Sequence, residues 1–105
     1  MRGEIWSVAA SGYASKPRPA VVVQNDTTDS FESTIVCLFT TDKSIAGPTR
    51  VPIQPDETNG LAKGCIVMAD KVITLKKSSL HTKIGELSSA DMVKVETALK
   101  ITLGL

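Results

Sequence analysis

Short apolar and β-branched runs, separated by polar loops, make up the first three-quarters of the chain. Residues 4–8 alternate apolar and polar side chains, which predicts a strand with one buried face. Residues 19–24 and 33–40 are almost wholly apolar, as in strands buried on both faces. A short strand is predicted at 50–53, and the runs 65–69 and 71–75 predict one or two further strands. Loops are predicted at 10–18, 25–30 and 41–49. Pro52 cannot donate a ladder hydrogen bond, so the 50–53 strand is expected at a sheet edge.

The end of the chain changes to a helical period. Apolar residues recur there at spacings of three and four: Met92, Val95, Leu99 and Leu103. Ser88 followed by Asp91 matches an N-terminal capping box in its aspartate form, and Gly104 is a typical helix stop. One amphipathic helix is therefore predicted between Ser88 and Gly104.

These elements restrict the fold to a single domain over residues 1–105. No segment between the predicted strands is long enough for a parallel crossover, so the strands should pair antiparallel. The expected fold is mostly β with a C-terminal helix (α+β): a small barrel or sandwich with the helix packed on it. Residues 76–83 are expected to be a connector with at most one helical turn, at 78–80.

Composition and charge narrow the functional class. The chain is 42% hydrophobic and 22% charged, which is ordinary globular usage. No run approaches the roughly 18 to 20 apolar residues of a membrane span, and Glu4 interrupts any signal peptide, so a cytoplasmic location is expected. The net charge is only +1, but residues 40–83 hold seven basic side chains against four acidic ones. That local excess suits an anionic partner.

The sulfur and imidazole groups offer little chemistry. Cys37 and Cys65 both lie in apolar runs and are expected to be buried thiols. Together with His81 they are too few and too widely spaced for a zinc site, so no metal is expected. His81 is the only histidine, which excludes a two-histidine acid–base relay.

Two polar residues stand where predicted strands begin or end. Arg18 lies between two prolines directly before a buried strand, and its planar guanidinium is suited to a fixed phosphate contact. Thr40 ends the next strand, so its hydroxyl could emerge at the same rim. Spacing alone leaves the alternative open that Arg18 forms a loop salt bridge and that Thr40 caps a turn.

Two N-terminal motifs, Arg2-Gly-Glu-Ile-Trp6 and Arg18-Pro-Ala-Val-Val-Val-Gln-Asn-Asp26, stand at a specific separation. Weaker motifs follow in order at 33–40, 48–51, 60–61, 84–87 and 98–103. In this pattern the chain resembles the MazF/PemK family of bacterial toxin endoribonucleases over essentially its whole length.

The resemblance implies a fold, an activity and partners. The fold would be an SH3-like barrel with a C-terminal helix, acting as a homodimer without cofactor. The activity would be cleavage of single-stranded RNA, including mRNA, at short motifs without metal, leaving 2′,3′-cyclic phosphate and 5′-hydroxyl ends and so inhibiting translation and growth. A cognate antitoxin would lay a disordered acidic segment into the RNA groove. Arg18 and Thr40 match the family's active-site arginine and threonine.

The remaining candidate RNA-binding residues follow from the groove that the resemblance implies. Tyr13 could stack on a base. Five basic residues in or near loops would frame the groove and contact phosphates: Lys16, Lys43, Arg50, Lys71 and Lys76. Asp70 matches an acidic position of the family, with a loop salt bridge as its alternative role.

Two departures from the family pattern leave other functions open. The first loop lacks the usual glutamate, and Ile73 stands where many members have an arginine that Lys71 would have to replace. One alternative is a catalytically silent module that binds RNA or an acidic peptide. Another is a gyrase poison of the CcdB type, although the chain lacks the Trp-Gly-Ile ending of that family.

Overall fold

A computed structural model of the protein describes residues 1–9, 17–28 and 32–105. Six strands are described: β1 (Glu4–Val8), β2 (Arg18–Val22), β3 (Ser33–Thr40), β4 (Arg50–Ile53), β5 (Cys65–Lys76) and β6 (Leu80–Glu86). One helix, α1 (Ser89–Leu103), and two 3-10 turns, Asp26–Thr28 and Lys77–Ser79, complete the described elements. The strands form one antiparallel sheet in the order β4-β5-β3-β2-β1-β6.

The sheet is strongly curled but not closed. In sheet order β5 and β6 are four strand spacings apart, about 19 Å in a flat sheet. Only the three residues Lys77–Ser79 lie between them, so the end of β5 and the start of β6 are four residues apart and at most about 14 Å from each other. The sheet must therefore bend back on itself. The predicted antiparallel fold with a C-terminal helix is confirmed. The expected barrel stays open, since within the described residues β4 and β6 are free edges. Pro52 lies in edge strand β4, as predicted.

One open alternative is decided, and one segment differs from the sequence prediction. The ranges 65–69 and 71–75, expected as one or two strands, form one long strand, β5, whose pairing with β3 shifts register between Cys37 and Phe39. Half of the expected connector at 76–83, residues 80–83, belongs to strand β6, which pairs with β1 through two register shifts. This strand shows no regular alternation because its middle residues are exposed. Backbone pairing, not side-chain pattern, makes it a strand.

Both faces of the central strands are buried, as their apolar sequences predicted. One core cluster includes Ile5, Val21 and Cys37 and is covered by Val95 and Ala98 of α1. A second cluster, which includes Val22 and Leu38, covers the opposite face of these strands. β2 and β3 are therefore packed on both sides, which fixes the backbone positions at which they begin and end.

The helix has the predicted caps. The hydroxyl of Ser88 accepts a hydrogen bond from the backbone N–H of Asp91 at 3.1 Å, and Gly104 ends the helix with φ of 72°. The helix packs against β4 and β5. None of the helices in the described ranges is long and apolar enough to cross a membrane.

Candidate functional site

The pairing of β2 with β3 brings Arg18 and Thr40 to the same end of the sheet. Ala20 pairs with Leu38, and continuing this register by two residues sets Arg18 opposite Thr40. Thr40 also pairs with Ile66 at the start of β5. Neighbouring strands lie about 4.8 Å apart, so the two predicted active-site residues share one rim.

An open groove of about 760 Å³ lies at this rim, and Arg18 and Thr40 both line it. We call it the Arg18 groove. Apolar side chains line it as well: Phe39, Leu61 and Ile84. A second cation, Lys63, lines the same groove. It therefore combines positive charge, a hydroxyl and apolar surface, which suits the phosphates and bases of a nucleic acid strand.

Arg18 is available to an anion in a way that the other two arginines are not. Arg2 bonds the carboxylate of Glu96 and the carbonyl of Val23. Arg50 bonds the carboxylate of Asp70. The side chain of Arg18 is exposed and, within the described part of the chain, has no ion pair or side-chain hydrogen bond. The loop salt bridge considered for Arg18 is not seen there.

Thr40 does cap a turn, as the alternative interpretation proposed. Its hydroxyl oxygen accepts a hydrogen bond from the backbone N–H of Asp42 at 3.1 Å. A hydroxyl that accepts in this way still carries its own hydrogen to donate. The turn therefore orients the hydroxyl without using up its donor.

A rigid loop forms another wall of the groove. Asn59 is completely buried; its amide nitrogen donates to the carbonyl of Gln54 at 2.8 Å, and its amide oxygen accepts from the N–H of Leu61 at 3.0 Å. Gly60 has φ of 67°, and a Cβ there would lie 2.1 Å from the carbonyl oxygen of Ile84. The backbone leading to Lys63 is thus locked against β6.

A second groove of about 450 Å³ adjoins the first, and Cys65 lines both. Lys43 lines this second groove together with Ile45 and Gln54. Burial raises the pKa of the Cys65 thiol, whereas the positive charges of Lys63 and Lys43 act in the opposite direction. Both ammonium groups therefore act electrostatically on the thiol. Each of the two grooves has a lysine near Cys65, where the grooves adjoin.

Arg50 and Asp70 are bound to each other. The Nε and Nη2 atoms of Arg50 donate to the two carboxylate oxygens of Asp70 at 2.8 and 3.0 Å. The Arg50 side chain is only 9% exposed, although it contributes to the second groove. Its hydrogen bonds hold the pKa of Asp70 below the ordinary value. The salt-bridge role considered for Asp70 is therefore present.

The other predicted RNA-binding residues are spread along the molecule. Lys71 and Lys76 are exposed on β5 and line neither groove; Lys76 pairs with Ser33, at the opposite end of β3 from Thr40. Tyr13 and Lys16 lie outside the described residues. Their roles remain predictions.

Sequence reasoning overlooked Lys63 and Asn59. The available signal was the position of Lys63 between two small residues, Ala62 and Gly64, immediately before a buried strand. Arg18 stands between two prolines in the same kind of position. Asn59 gave no local signal, because its partners become visible only in the folded loop.

The sulfur chemistry is as expected. Both cysteines are free and buried, as predicted. Cys37 is completely buried, and burial raises its pKa to about 12, so this thiol stays protonated at neutral pH. Within the described residues no three histidine, cysteine, aspartate or glutamate side chains are grouped to hold a metal ion.

The family model of PemK-like, MazF-like toxins of type II toxin–antitoxin systems matches residues 1–103. The chain belongs to this family. A PemK/MazF relative, the probable endoribonuclease MazF of Mycolicibacterium smegmatis, is 40% identical over 99% of this chain and 96% of its own length. The endoribonuclease MazF of Staphylococcus epidermidis is 34% identical over 84% of this chain and 74% of its own.

Solved structures of the family share the fold. A mycobacterial endoribonuclease in complex with its cognate antitoxin is similar with a TM-score of 0.85 and 30% sequence identity. That likeness covers 100% of this chain and 95% of the other. The rim that carries Arg18 and Thr40 is thus built on a PemK/MazF scaffold.

Proposed function

We propose that this PemK/MazF-family protein is the toxin of a type II toxin–antitoxin system and an endoribonuclease. It cleaves single-stranded RNA, including mRNA, at short sequence motifs without a metal ion, and so inhibits translation and growth. The observation that carries the proposal is the exposed Arg18 guanidinium, without a described carboxylate partner, in the same groove as the Thr40 hydroxyl. The names of the relatives at 40% and 34% identity support the same activity.

The reaction is a transfer of the phosphodiester within the RNA strand. The 2′-hydroxyl oxygen bonds to the adjacent phosphorus, the bond from phosphorus to the 5′-oxygen breaks, and the 2′-hydroxyl proton is lost. The leaving 5′-oxygen gains a proton. The products are a 2′,3′-cyclic phosphate and a 5′-hydroxyl. In-line alignment and stabilisation of charge on the phosphate oxygens are the main requirements.

Arg18 and Thr40 supply those requirements. The Arg18 fork binds two phosphate oxygens and stabilises the added negative charge in the transition state. Thr40, oriented by the Asp42 N–H, donates a hydrogen bond to a phosphate oxygen. Neither group is a general base at neutral pH, so both act through positioning and charge stabilisation.

The partners follow from the same groove. The toxin acts as a homodimer in the cytoplasm, and a cognate antitoxin neutralises it by placing an acidic, disordered segment over Arg18. The similar mycobacterial endoribonuclease was solved with its cognate antitoxin, which supports an antitoxin as a partner of this chain. Light scattering measures the dimer, and an acidic antitoxin peptide should compete with RNA. Simultaneous binding of peptide and RNA would contradict the proposed neutralisation.

The decisive experiment is to incubate the purified protein with a long single-stranded RNA in EDTA and to map the fragment ends. Arg18→Ala is run beside it, with Lys100→Ala as a control that removes one positive charge from the exposed surface of α1. Discrete cuts with 5′-hydroxyl ends, present in the control and lost in Arg18→Ala, support the proposal and reveal the recognised motif. Intact RNA after incubation with folded wild-type protein would overturn it and favour the silent binding module.

A further inference from the structure

Lys63 stands across the Arg18 groove from Arg18. In the sheet order β5-β3-β2, Thr40 of β3 lies between Arg18, which begins β2, and the start of β5. Lys63 precedes β5 by two residues and lines the same groove. β2, which begins with Arg18, and β5, which Lys63 precedes, are two strand spacings apart, about 10 Å. The hydroxyl of the proposed active site thus has a cation on each side.

We propose that Lys63 is a second phosphate-binding residue of this groove and holds the phosphate next to the one at Arg18. The inference rests on the proposed function, since it names a further contact for the same RNA strand. With Lys63 as a second contact, the groove binds two successive phosphates of the RNA strand.

The backbone at Lys63 is held in place before any ligand arrives. The buried Asn59 amide ties together the loop from Gln54 to Leu61, and Gly60 is wedged against the Ile84 carbonyl. The carbonyl of Lys63 itself accepts a hydrogen bond from the Cys65 thiol at 3.3 Å. Binding therefore has to order only the side chain of Lys63, which keeps the entropic cost of the contact small.

The charge of Lys63 is not used inside the protein. Within the described ranges its exposed ammonium group forms no ion pair. The carboxylate of Asp56, in the same loop, accepts hydrogen bonds from the N–H groups of Thr58 and Asn59. The Asp42 carboxylate, on the β3 side, accepts from the N–H of Ser44. Among the described residues neither of these carboxylates, nor that of Glu57, forms an ion pair with Lys63, so its ammonium group is left to the groove.

Lys63 stands two residues before Cys65, the residue that lines both the Arg18 groove and the adjoining groove of Lys43. A single strand that runs from Arg18 past Lys63 would continue towards Lys43. Phosphate contacts of this kind position a strand without reading its sequence. Loss of Lys63 should therefore weaken the binding of all RNA sequences to the same extent. The cleavage motif should stay unchanged.

The test uses an RNA with a 2′-deoxy substitution at each cleavage position, so that binding is measured without cleavage. Affinity is titrated against salt for the wild type, Lys63→Ala, Lys63→Arg and the control Lys100→Ala, which removes an equal charge from the exposed surface of α1. Lys63→Ala should bind about 3- to 10-fold more weakly, and its slope of log affinity against log salt should be shallower by about 0.7. Lys63→Arg should restore both values.

The outcomes separate the inference from the proposed function. If wild-type protein cleaves RNA but Lys63→Ala matches Lys100→Ala in affinity and slope, the second phosphate contact is wrong and the activity stands. A folded wild type that neither binds nor cleaves RNA overturns both. A Lys63→Ala variant that loses affinity with an unchanged salt slope would also contradict a phosphate contact. Thermal unfolding of each variant shows that the binding change is not a folding defect.

Discussion

Arg18 and Arg50 begin two strands of one sheet, yet the fold uses their side chains in opposite ways. Arg50 begins β4, is nearly buried and gives two hydrogen bonds to Asp70. Arg18 begins β2, is exposed and has no carboxylate partner among the residues described. One guanidinium therefore joins β4 to β5, and the other is left for a ligand.

The difference shows that residue type and local position do not determine the role of an arginine. Both residues were predicted to contact RNA, and both sit beside grooves. The discriminating feature is a carboxylate on the neighbouring strand: Met68 pairs with Arg50, and Asp70 follows two residues later. A guanidinium without such a neighbouring carboxylate can form its paired hydrogen bonds with an anionic ligand.

The largest expected effect comes from removing the available guanidinium. Arg18→Ala should lower the cleavage rate by about 10² to 10³, because one preorganised donor to the transition state is lost. Arg18→Lys should recover only part of it, since the ammonium group keeps the charge but not the two-pronged geometry. Single-turnover cleavage in EDTA measures both. Unfolding stability should stay within about 0.5 kcal/mol of wild type, as for an exposed side chain without partners.

Removing the bound guanidinium should give the reverse result. Arg50→Ala should cost about 1–3 kcal/mol of unfolding free energy, because it deletes two charge-assisted hydrogen bonds and leaves the Asp70 carboxylate without them. Cleavage at low temperature, where the variant is still folded, should stay within a few-fold of wild type. Urea unfolding and the cleavage assay on the same preparation test this. A loss of rate as large as that of Arg18→Ala would end the distinction between the two arginines.

The Arg50–Asp70 pair should also change how the free energy of unfolding depends on pH. Hydrogen bonding from Arg50 lowers the pKa of Asp70 from its ordinary value of 3.8. The folded state therefore favours the ionised carboxyl, so this stabilisation is complete well above pH 3.8 and disappears as the pH falls through the lowered value. The difference in stability between wild type and Asp70→Asn should shrink below about pH 4. A difference that stays constant down to pH 2 would show that the pair does not stabilise the fold.

The sequence predicted most of this fold because its strands have strong local signals. The apolar run 33–40 corresponds to β3, and the capping serine and terminal glycine located α1. β6 was missed since its exposed middle residues carry no pattern, and only its pairing with β1 defines it. The placement of Arg18 opposite Thr40 could be anticipated from strand ends. The Asn59 loop and the Arg50–Asp70 pair could not, because each depends on residues that meet only after folding.

The smallest expected effects concern the exposed lysines. Two of them carry the same charge and differ in their position relative to the grooves. Lys43 lines the groove beside Cys65, whereas Lys76 pairs with Ser33 at the far end of β3. Lys43→Ala should weaken binding of the uncleavable RNA about 2- to 5-fold, as expected for one peripheral phosphate contact, and Lys76→Ala should change it less than 2-fold. The two variants have the same net charge, so a general electrostatic effect would make them equal. Equal losses would show that overall charge, and not position relative to the grooves, determines what a lysine contributes to RNA binding, and the distinction between Lys43 and Lys76 would be wrong.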